Sequence, residues 1–512
     1  MKTAILAIPR IEQHRPPPGP AIVANLCANL GHQVTMYDLN IKLFRYCQQQ
    51  NIEYNSFDVV FDNMADPTES QLLFLDNFID RWAKKLAEQQ FDYVMLGVFG
   101  ISAHWFANRF LKVIRPMIKS KIIIGGMGVG TTSLIDENQC FGETMKLQNL
   151  IDAYIVGEAE KSLISYFNGI PGPGINNNQI SQIDDIENLP IPDYSYYNLD
   201  EYDYLHSGEK EIYITGSRGC VRKCSYCDVE RFWPKYRYRS GSSIANEIIM
   251  NHEKFGITRF YFTDSLVNGS LKMFDDMCNK LSAYQFDSPI SWSGQFIFRN
   301  QKSLPKNHFE TIAKSGADIL YVGIETGSDR LRKEIGKNFT NEDIDFQLEE
   351  CSRNGIKIMP LMFTGYVTET LQDHHDNLKV FSRWQKYVAD GTIPGIELGQ
   401  GLVVLPGAPV ERMIDQYGLS FLLDQQNMPL PQVWQSSINP DLSIREQVRR
   451  RLEVHETAMK YHWPVWRQHS RLNDFKKWIL QNRLHEDRDD FYYIVENKDN
   501  PKSKKVIPVV AV

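Results

Sequence analysis

The chain has 512 residues, a formal net charge of −7, 42% hydrophobic residues and eight cysteines. That length suits two or three domains with packed cores. No apolar run approaches the ~18 residues of a membrane span, the acidic balance argues against a dedicated nucleic-acid binder, and unpaired cysteine spacing suits a reducing cytoplasm rather than a disulfide framework.

Residues 1–168 read as a doubly wound parallel sheet. The opening Met-Lys-Thr-Ala-Ile-Leu-Ala-Ile-Pro is a buried strand, Thr3–Ile8, with too short an apolar core and no small-residue cleavage site for a secretory leader. A helix over Ala21–Leu30 ends at Gly31, and further short strands follow at Gln33–Tyr37, Tyr93–Val98 and Lys121–Ile124. Short buried strands alternating with helices place ligands beyond the strand C-termini. A dinucleotide needs a glycine-rich turn after the first strand, with backbone N–H groups free to meet the pyrophosphate. Here that loop is Pro9-Arg-Ile-Glu-Gln-His-Arg-Pro-Pro-Pro-Gly-Pro20, which lacks those donors. The later Gly125-Gly126-Met-Gly128-Val-Gly130 run is not G-x-G-x-x-G and is a weak signal by itself.

Residues 169–207 read as an exposed linker, glycine- and proline-rich over Gly169–Gly174, then rich in Asn and Asp, and ending near Pro190-Ile-Pro192-Asp193. Residues 208–410 alternate strands with amphipathic stretches: Glu211–Thr215, Arg259–Phe262, Ile290–Trp292, Ile319–Ile324, Ile356–Phe363 and Ile396–Leu405. Six such strands predict a partial (β/α)6 TIM-type barrel, with functional residues at strand C-terminal ends. The final part, 411–512, reads as a mainly helical cap with Trp434, Trp463, Trp466 and Trp478. Its basic run, Arg445 to Arg451, reads as a solvated helix face, and Glu496 to Lys505 as a polar tail.

The sharpest motif is Cys220-Val-Arg-Lys-Cys224-Ser-Tyr-Cys227, directly after the first barrel strand. Three thiolates at this spacing can hold three corners of a 4Fe-4S cluster and leave the fourth iron open to a small molecule. The alternative is zinc, but structural zinc takes four closed ligands, and only the isolated His252 stands between Cys227 and Cys278. Cys27, Cys47, Cys140, Cys278 and Cys351 are scattered singly and read as buried thiols.

The triplet, with Tyr226 before its third cysteine, resembles the signature of radical S-adenosylmethionine (SAM) enzymes. In that superfamily the open iron chelates SAM, and the reduced cluster cleaves it to a 5′-deoxyadenosyl radical. Gly323-Ile-Glu325-Thr-Gly-Ser328 resembles the fourth-strand element near the SAM ribose and methionine, and Leu405-Pro-Gly-Ala-Pro409 the element after the sixth strand. Phe262-Thr-Asp264-Ser stands where many members carry Gly-Gly-Glu, so Asp264 is the candidate for the methionine amine. The alternative for Asp264 is a turn or helix-cap aspartate, and for Glu325 a buried partner of Arg330 or Arg332. The resemblance thus implies Tyr226, Asp264, Glu325 and Ser328 as SAM-binding residues.

Residues 1–168 resemble, in order, the cobalamin-binding domain that precedes the barrel in one radical SAM class. The matching elements are Pro17, Pro18 and Gly19, the strand ending at Ser102, Gly125-Gly126, and Gly157-Glu158. The Asp-x-His-x-x-Gly element that supplies a lower cobalt ligand is missing, and Gly128 stands where a histidine is usual. The implied function is cobalamin-dependent C-methylation of an unactivated carbon in a small-molecule or peptide substrate. Its cofactors would be a 4Fe-4S cluster, SAM and cobalamin, with an external electron donor such as flavodoxin or ferredoxin. One alternative is a non-methylating rearrangement or oxidation with the N-terminal domain as scaffold; another is a non-catalytic metal-binding regulator.

Overall fold

A computed structural model describes residues 1–61, 66–130, 140–205, 208–399, 401–423 and 429–465, with strands at 493–496, 504–507 and 509–511. The chain divides into two units, Met1–Ile214 with Glu247–Tyr261, and Thr215–Asn246 with Phe262–Val512.

In the first unit, strands Lys2–Ala7, Gln33–Asp38, Tyr93–Gly97, Lys121–Gly125 and Ala153–Ile155 form one sheet, in which the first strand lies between the second and third. All its pairings are parallel. This is a doubly wound order, with helices covering both faces and a switch point between the first and third strands. Continuous apolar strands follow from that cover: all but the first residue of Lys2–Ala7 are buried. The first helix starts earlier than expected, at Pro18. The proline run explains this, since proline at the first helical position loses an N–H that has no intrahelical partner anyway.

The segment expected as an exposed linker is held down along much of its length. Tyr197 Oη donates to the Pro17 carbonyl at 2.5 Å and Tyr202 Oη to the Asp38 carboxylate at 2.6 Å. Tyr194 is fully buried. Aromatic side chains with a polar tip explain the difference: they bury their rings while the hydroxyl finds a partner.

The six strands Glu211–Ile214, Arg259–Phe262, Ser291–Phe296, Ala317–Glu325, Lys357–Met362 and Glu397–Leu398 form a second sheet, neighbours in sequence being neighbours in space. Helices between consecutive strands make this the partial barrel, whose C-terminal strand ends carry the site. The sixth strand is much shorter than the Ile396–Leu405 run suggested. Gly399 and Gly401 break the extended run, and the Leu402 N–H bonds the Thr364 carbonyl instead of continuing a ladder.

Beyond the barrel, helix Ile444–Lys460 is present, but Leu419–Leu423 and Pro429–Ser436 form an antiparallel pair that was not legible as strand. Its Phe421 and Trp434 join Cys224, Leu331, Ile335 and Tyr366 in one hydrophobic core. The basic run is not one solvated face: Arg450 is buried and pairs with Glu369 at 3.1 Å. Of the polar tail, Glu496 and Lys504–Lys505 fall in paired strands. The rest of that tail, Trp466 and Trp478 lie outside the described residues.

Candidate active site

The cysteine loop is closed at its base by a short ladder, Ser217 and Arg218 pairing antiparallel with Tyr238 and Arg237. Cys224 is buried in the hydrophobic core while Cys220 and Cys227 are half-buried. The loop is fixed through the residue between them: Ser225 N–H bonds the Ile335 carbonyl at 3.0 Å, its carbonyl accepts from Val410 at 2.8 Å, and its hydroxyl meets Tyr366 at 2.7 Å. Burial raises the Cys224 thiol to about 12 and the Cys227 thiol to about 11, and the cysteines' mutual proximity adds to both. Among the described residues, no three His, Cys, Asp or Glu side chains are gathered for a single metal ion. The five other cysteines are all buried, as expected, and His252 bonds the Ile257 carbonyl at 2.8 Å.

Glu325 ends the fourth barrel strand in a distorted register. The pairing with the fifth strand slips between Gly323 and Glu325, and Glu325 has φ +65°. A bulge of this kind re-aims a side chain, and a non-glycine residue at positive φ costs of order 1 kcal/mol or more. Its carboxylate accepts from Tyr226 Oη at 2.7 Å and Lys337 Nζ at 2.5 Å. Lys337 also donates to the Gly323 carbonyl at 2.7 Å. Burial lowers the Lys337 pKa, but Glu325 and Cys224 outweigh it and raise the value above normal. Gly323 leaves room for this pair, since a Cβ there would stand 2.2 Å from Glu325 and 2.4 Å from Lys337. The partner of Glu325 is therefore Lys337, whereas Arg330 pairs with Asp373 and Arg332 with Asp329.

Asp264 follows the second strand and is buried. It accepts from Gly216 N–H at 2.9 Å and from Ser217 Oγ at 2.5 Å, so it braces the start of the cysteine loop rather than capping a helix. Burial pushes its carboxyl up to about 7, against those hydrogen bonds and the Arg239 charge. Ser328 caps helix Asp329–Ile335 by accepting from Leu331 N–H at 3.2 Å, and donates to Asp373 at 2.5 Å. The barrel thus brings the cysteines, Tyr226 and Glu325 together, with Asp264 at the loop's base.

In the N-terminal unit, the candidate residues follow C-terminal ends of strands. Pro17 and Pro18 begin the first helix and Gly19 is exposed in its first turn. Ser102 lies in a short turn after the third strand. Gly125 ends the fourth strand, and Gly126 has φ +118° with Val98 so near that a Cβ would stand 2.4 Å from its carbonyl oxygen. Gly157 bridges to Ser181, and Glu158 accepts from Ile183 N–H at 2.6 Å. What sequence did not reveal is the apolar rim beside them: Phe99 is 61% exposed, Ile101 54% and Met127 37%. Only their position past strand ends could have signalled it. His104 bonds the Gly128 carbonyl at 2.6 Å and stacks on Phe141 at 4.0 Å.

Residues 214–378 match the family model described as the Radical SAM superfamily, so this part of the chain carries a radical SAM domain. It is 23% identical over 329 residues, 60% of this chain and 69% of the relative, to an uncharacterized methyltransferase of Pyrococcus horikoshii. It spans less than half the length of several other curated relatives. Its fold is similar to that of the radical SAM methyltransferase TsrM of Kitasatospora setae, with cobalamin and a 4Fe-4S cluster bound. That match has TM-score 0.60 and 15% identity, covering 88% of each chain. It is also similar to the cobalamin-dependent SAM radical enzyme OxsB, with aqua-cobalamin bound, at TM-score 0.62 and 15% identity over 94% of this chain and 71% of that one. A radical SAM domain works with a 4Fe-4S cluster and SAM. No helix among the described residues is long and apolar enough to cross a membrane.

Proposed function

We propose that the chain is a cobalamin-dependent radical SAM methyltransferase, acting on an unactivated carbon of a small-molecule or peptide substrate. The observation that carries this reading is the exposed rim of Phe99, Ile101 and Met127 past strand ends of the doubly wound sheet, in a chain that also carries a radical SAM domain. Doubly wound sheets bind ligands at that edge, and exposed apolar side chains grouped past strand ends are a candidate binding surface. A flat macrocycle suits such a rim, framed by Pro17, Pro18 and Gly19, Ser102, Gly125, Gly126, Gly157 and Glu158. The likeness to TsrM and OxsB supports the same reading.

Cys220, Cys224 and Cys227 fit three corners of a 4Fe-4S cluster, since all three stand on one braced loop with no fourth cysteine beside them. When bound, the cluster and SAM supply the radical, and cobalamin the methyl carrier. The protein's own groups hold and orient. Asp264, whose carboxyl burial pushes up to about 7, would ionise more readily beside an ammonium group, which fits the methionine amine. Tyr226 and Glu325 set one polar edge of the site, near adenine and ribose or methionine. Ser328 has its hydroxyl committed to Asp373 and the helix start, so it acts on SAM through position. An oxygen-labile cluster and unpaired cysteines suit a cytoplasmic setting with an external electron donor such as flavodoxin or ferredoxin.

The test is anaerobic purification with hydroxocobalamin, followed by cobalt analysis and transfer of label from methyl-labelled SAM. Near-stoichiometric cobalt and a labelled product are expected. SAM cleavage without cobalt would point to non-methylating radical chemistry with the N-terminal domain as scaffold.

A further inference from the structure

Four carboxylates stand within the six strands of the second sheet: Glu211, Asp318, Glu325 and Glu397. Three have a cation of their own. Glu211 pairs with Arg15 at 2.5 Å, Asp318 with Lys357 at 3.0 Å and Glu325 with Lys337 at 2.5 Å. Glu397, in the sixth strand, is half-buried, and its carboxylate has neither an ion pair nor a hydrogen bond among the described residues.

Strand register fixes which way Glu397 faces. It pairs with Leu361 in the fifth strand, and Leu361 pairs with Gly323 in the fourth, so the three share one row and one face. Gly323 marks that face: a Cβ there would stand 2.2 Å from Glu325 and 2.4 Å from Lys337. Glu397 is therefore on the side of the sheet that carries Glu325, Lys337 and Tyr226, two strand spacings or about 10 Å across. One row deeper on the same face, Gln295 pairs with Tyr321. Gln295 is half-buried, and its amide likewise has no partner among the described residues. The other face is closed. Leu320, Val322, Ile324 and Ile358 are fully buried, and Leu398 lines a small cavity with Asn377 and with Val454 of helix Ile444–Lys460.

The backbone around Glu397 is pinned while its carboxylate is left open. The Ile396 N–H bonds the Pro464 carbonyl at 2.8 Å and the Gly399 N–H bonds the Met362 carbonyl at 2.7 Å. Glu325 and Lys337 offset each other, so Glu397 is the uncompensated charge on its row. Partial burial of a carboxylate without a cation is unfavourable. On a fixed backbone at the C-terminal end of a barrel strand, the same carboxylate is preorganised for a ligand.

We propose that Glu397 is a substrate-binding residue that accepts from a cationic nitrogen, the ammonium of an amine-bearing substrate, with the Gln295 amide as a second polar contact deeper on the same face. A charge-assisted hydrogen bond of this kind is among the strong ones. The proposal rests on the radical SAM reading of the barrel and adds a substrate class to it: cationic rather than neutral or anionic.

SAM also carries an ammonium, and one experiment separates the two sources. Iron-reconstituted wild type, Glu397→Gln and Glu397→Asp are titrated with n-butylammonium, n-butanol and butyrate by saturation-transfer NMR, and with SAM by equilibrium dialysis. Iron content and thermal melting serve as folding controls. The expected result is n-butylammonium bound by wild type in preference to n-butanol and butyrate. Its binding should weaken about tenfold or more in Glu397→Gln and be partly retained in Glu397→Asp, which keeps the charge, with SAM affinity unchanged. Equal n-butylammonium binding by wild type and Glu397→Gln, or none by wild type, overturns the proposal. So does a matching fall in SAM affinity, which would assign Glu397 to the cofactor. A lower melting temperature for Glu397→Gln would also overturn it, since that marks a structural partner for the charge. Reductive SAM cleavage by wild type is scored independently, so failure of the radical reading shows separately from failure of the amine site.

Discussion

Tyr226 and Glu325 lie 99 residues apart in sequence and share a 2.7 Å hydrogen bond beside the cysteine loop, with Lys337 on the same carboxylate oxygen. The three side chains bind the cysteine loop to the bulged end of the fourth strand and the segment after the helix that follows it. Removing one member of a buried ion pair leaves the other uncompensated. Glu325→Ala should therefore destabilise the protein by about 3–5 kcal/mol. Glu325→Leu combined with Lys337→Met should recover part of that loss, because no charge is then left unpaired. Denaturant unfolding of Glu325→Leu, Lys337→Met and the double gives the coupling; simple additivity would mean the pair is not a unit.

Alanine at Cys220, Cys224 and Cys227 together should remove about four irons per chain while leaving much of the loop's anchorage, which runs through Ser225. Iron and sulfide analysis with thermal melting checks this. Iron retained in the triple variant would place the cluster elsewhere.

Asp264 makes the stability of the protein pH-dependent in a defined direction. Its carboxyl titrates near 3.8 when unfolded and about 7 in place. Between those values the folded chain keeps a proton that the unfolded chain has released, so stability falls as pH rises through that window and levels off above it. Asp264→Asn carries no such charge. It should melt higher than wild type at pH 8, with the difference shrinking toward pH 5, and it should bind SAM more weakly. A difference in melting temperature independent of pH would refute the titration.

Phe99, Ile101 and Met127 are exposed, so replacing them with serine should cost little stability, within about 0.5 kcal/mol each. If the rim seats a corrin, the triple variant should lose cobalt about tenfold relative to wild type at equal iron content, in line with loss of apolar contact area. Equal cobalt in both would remove the rim from the site.

Gly126 tests the backbone beneath that rim. At φ +118°, with the Val98 carbonyl oxygen 2.4 Å from any added Cβ, Gly126→Ala should destabilise by about 2 kcal/mol or more. Chemical denaturation measures it, and a neutral substitution would mean this strand end moves freely.

Much of the architecture was legible because its signals are local. The apolar runs of the first and fourth N-terminal strands, and the alternation of strand and helix from Glu211 onward, depend on neighbours only a few residues away. The sixth strand was overextended because an apolar run continues to Leu405, while two glycines end the ladder sooner. The hairpin around Phe421 and Trp434 was hidden because aromatic-rich runs suit helix and strand alike until a partner strand is known. For the site, the cysteine triplet was plain, but the partner of Glu325 was not. Arg330 and Arg332 are nearer in sequence than Lys337, and only the helix cap at Gly336 turns Lys337 back to the strand end.

The sequence alone determined the cysteine spacing of the loop after the first barrel strand and the six-fold alternation of strand and helix from Glu211 onward, since each is written in contiguous residues. Tertiary structure decided what those residues face. It set the bulge that turns Glu325 toward Tyr226, the burial that lifts Asp264 to about 7, and the exposure of Phe99. Each of these depends on chain segments tens of residues apart arriving at one point, where burial and neighbouring charge, not residue identity, fix the chemistry.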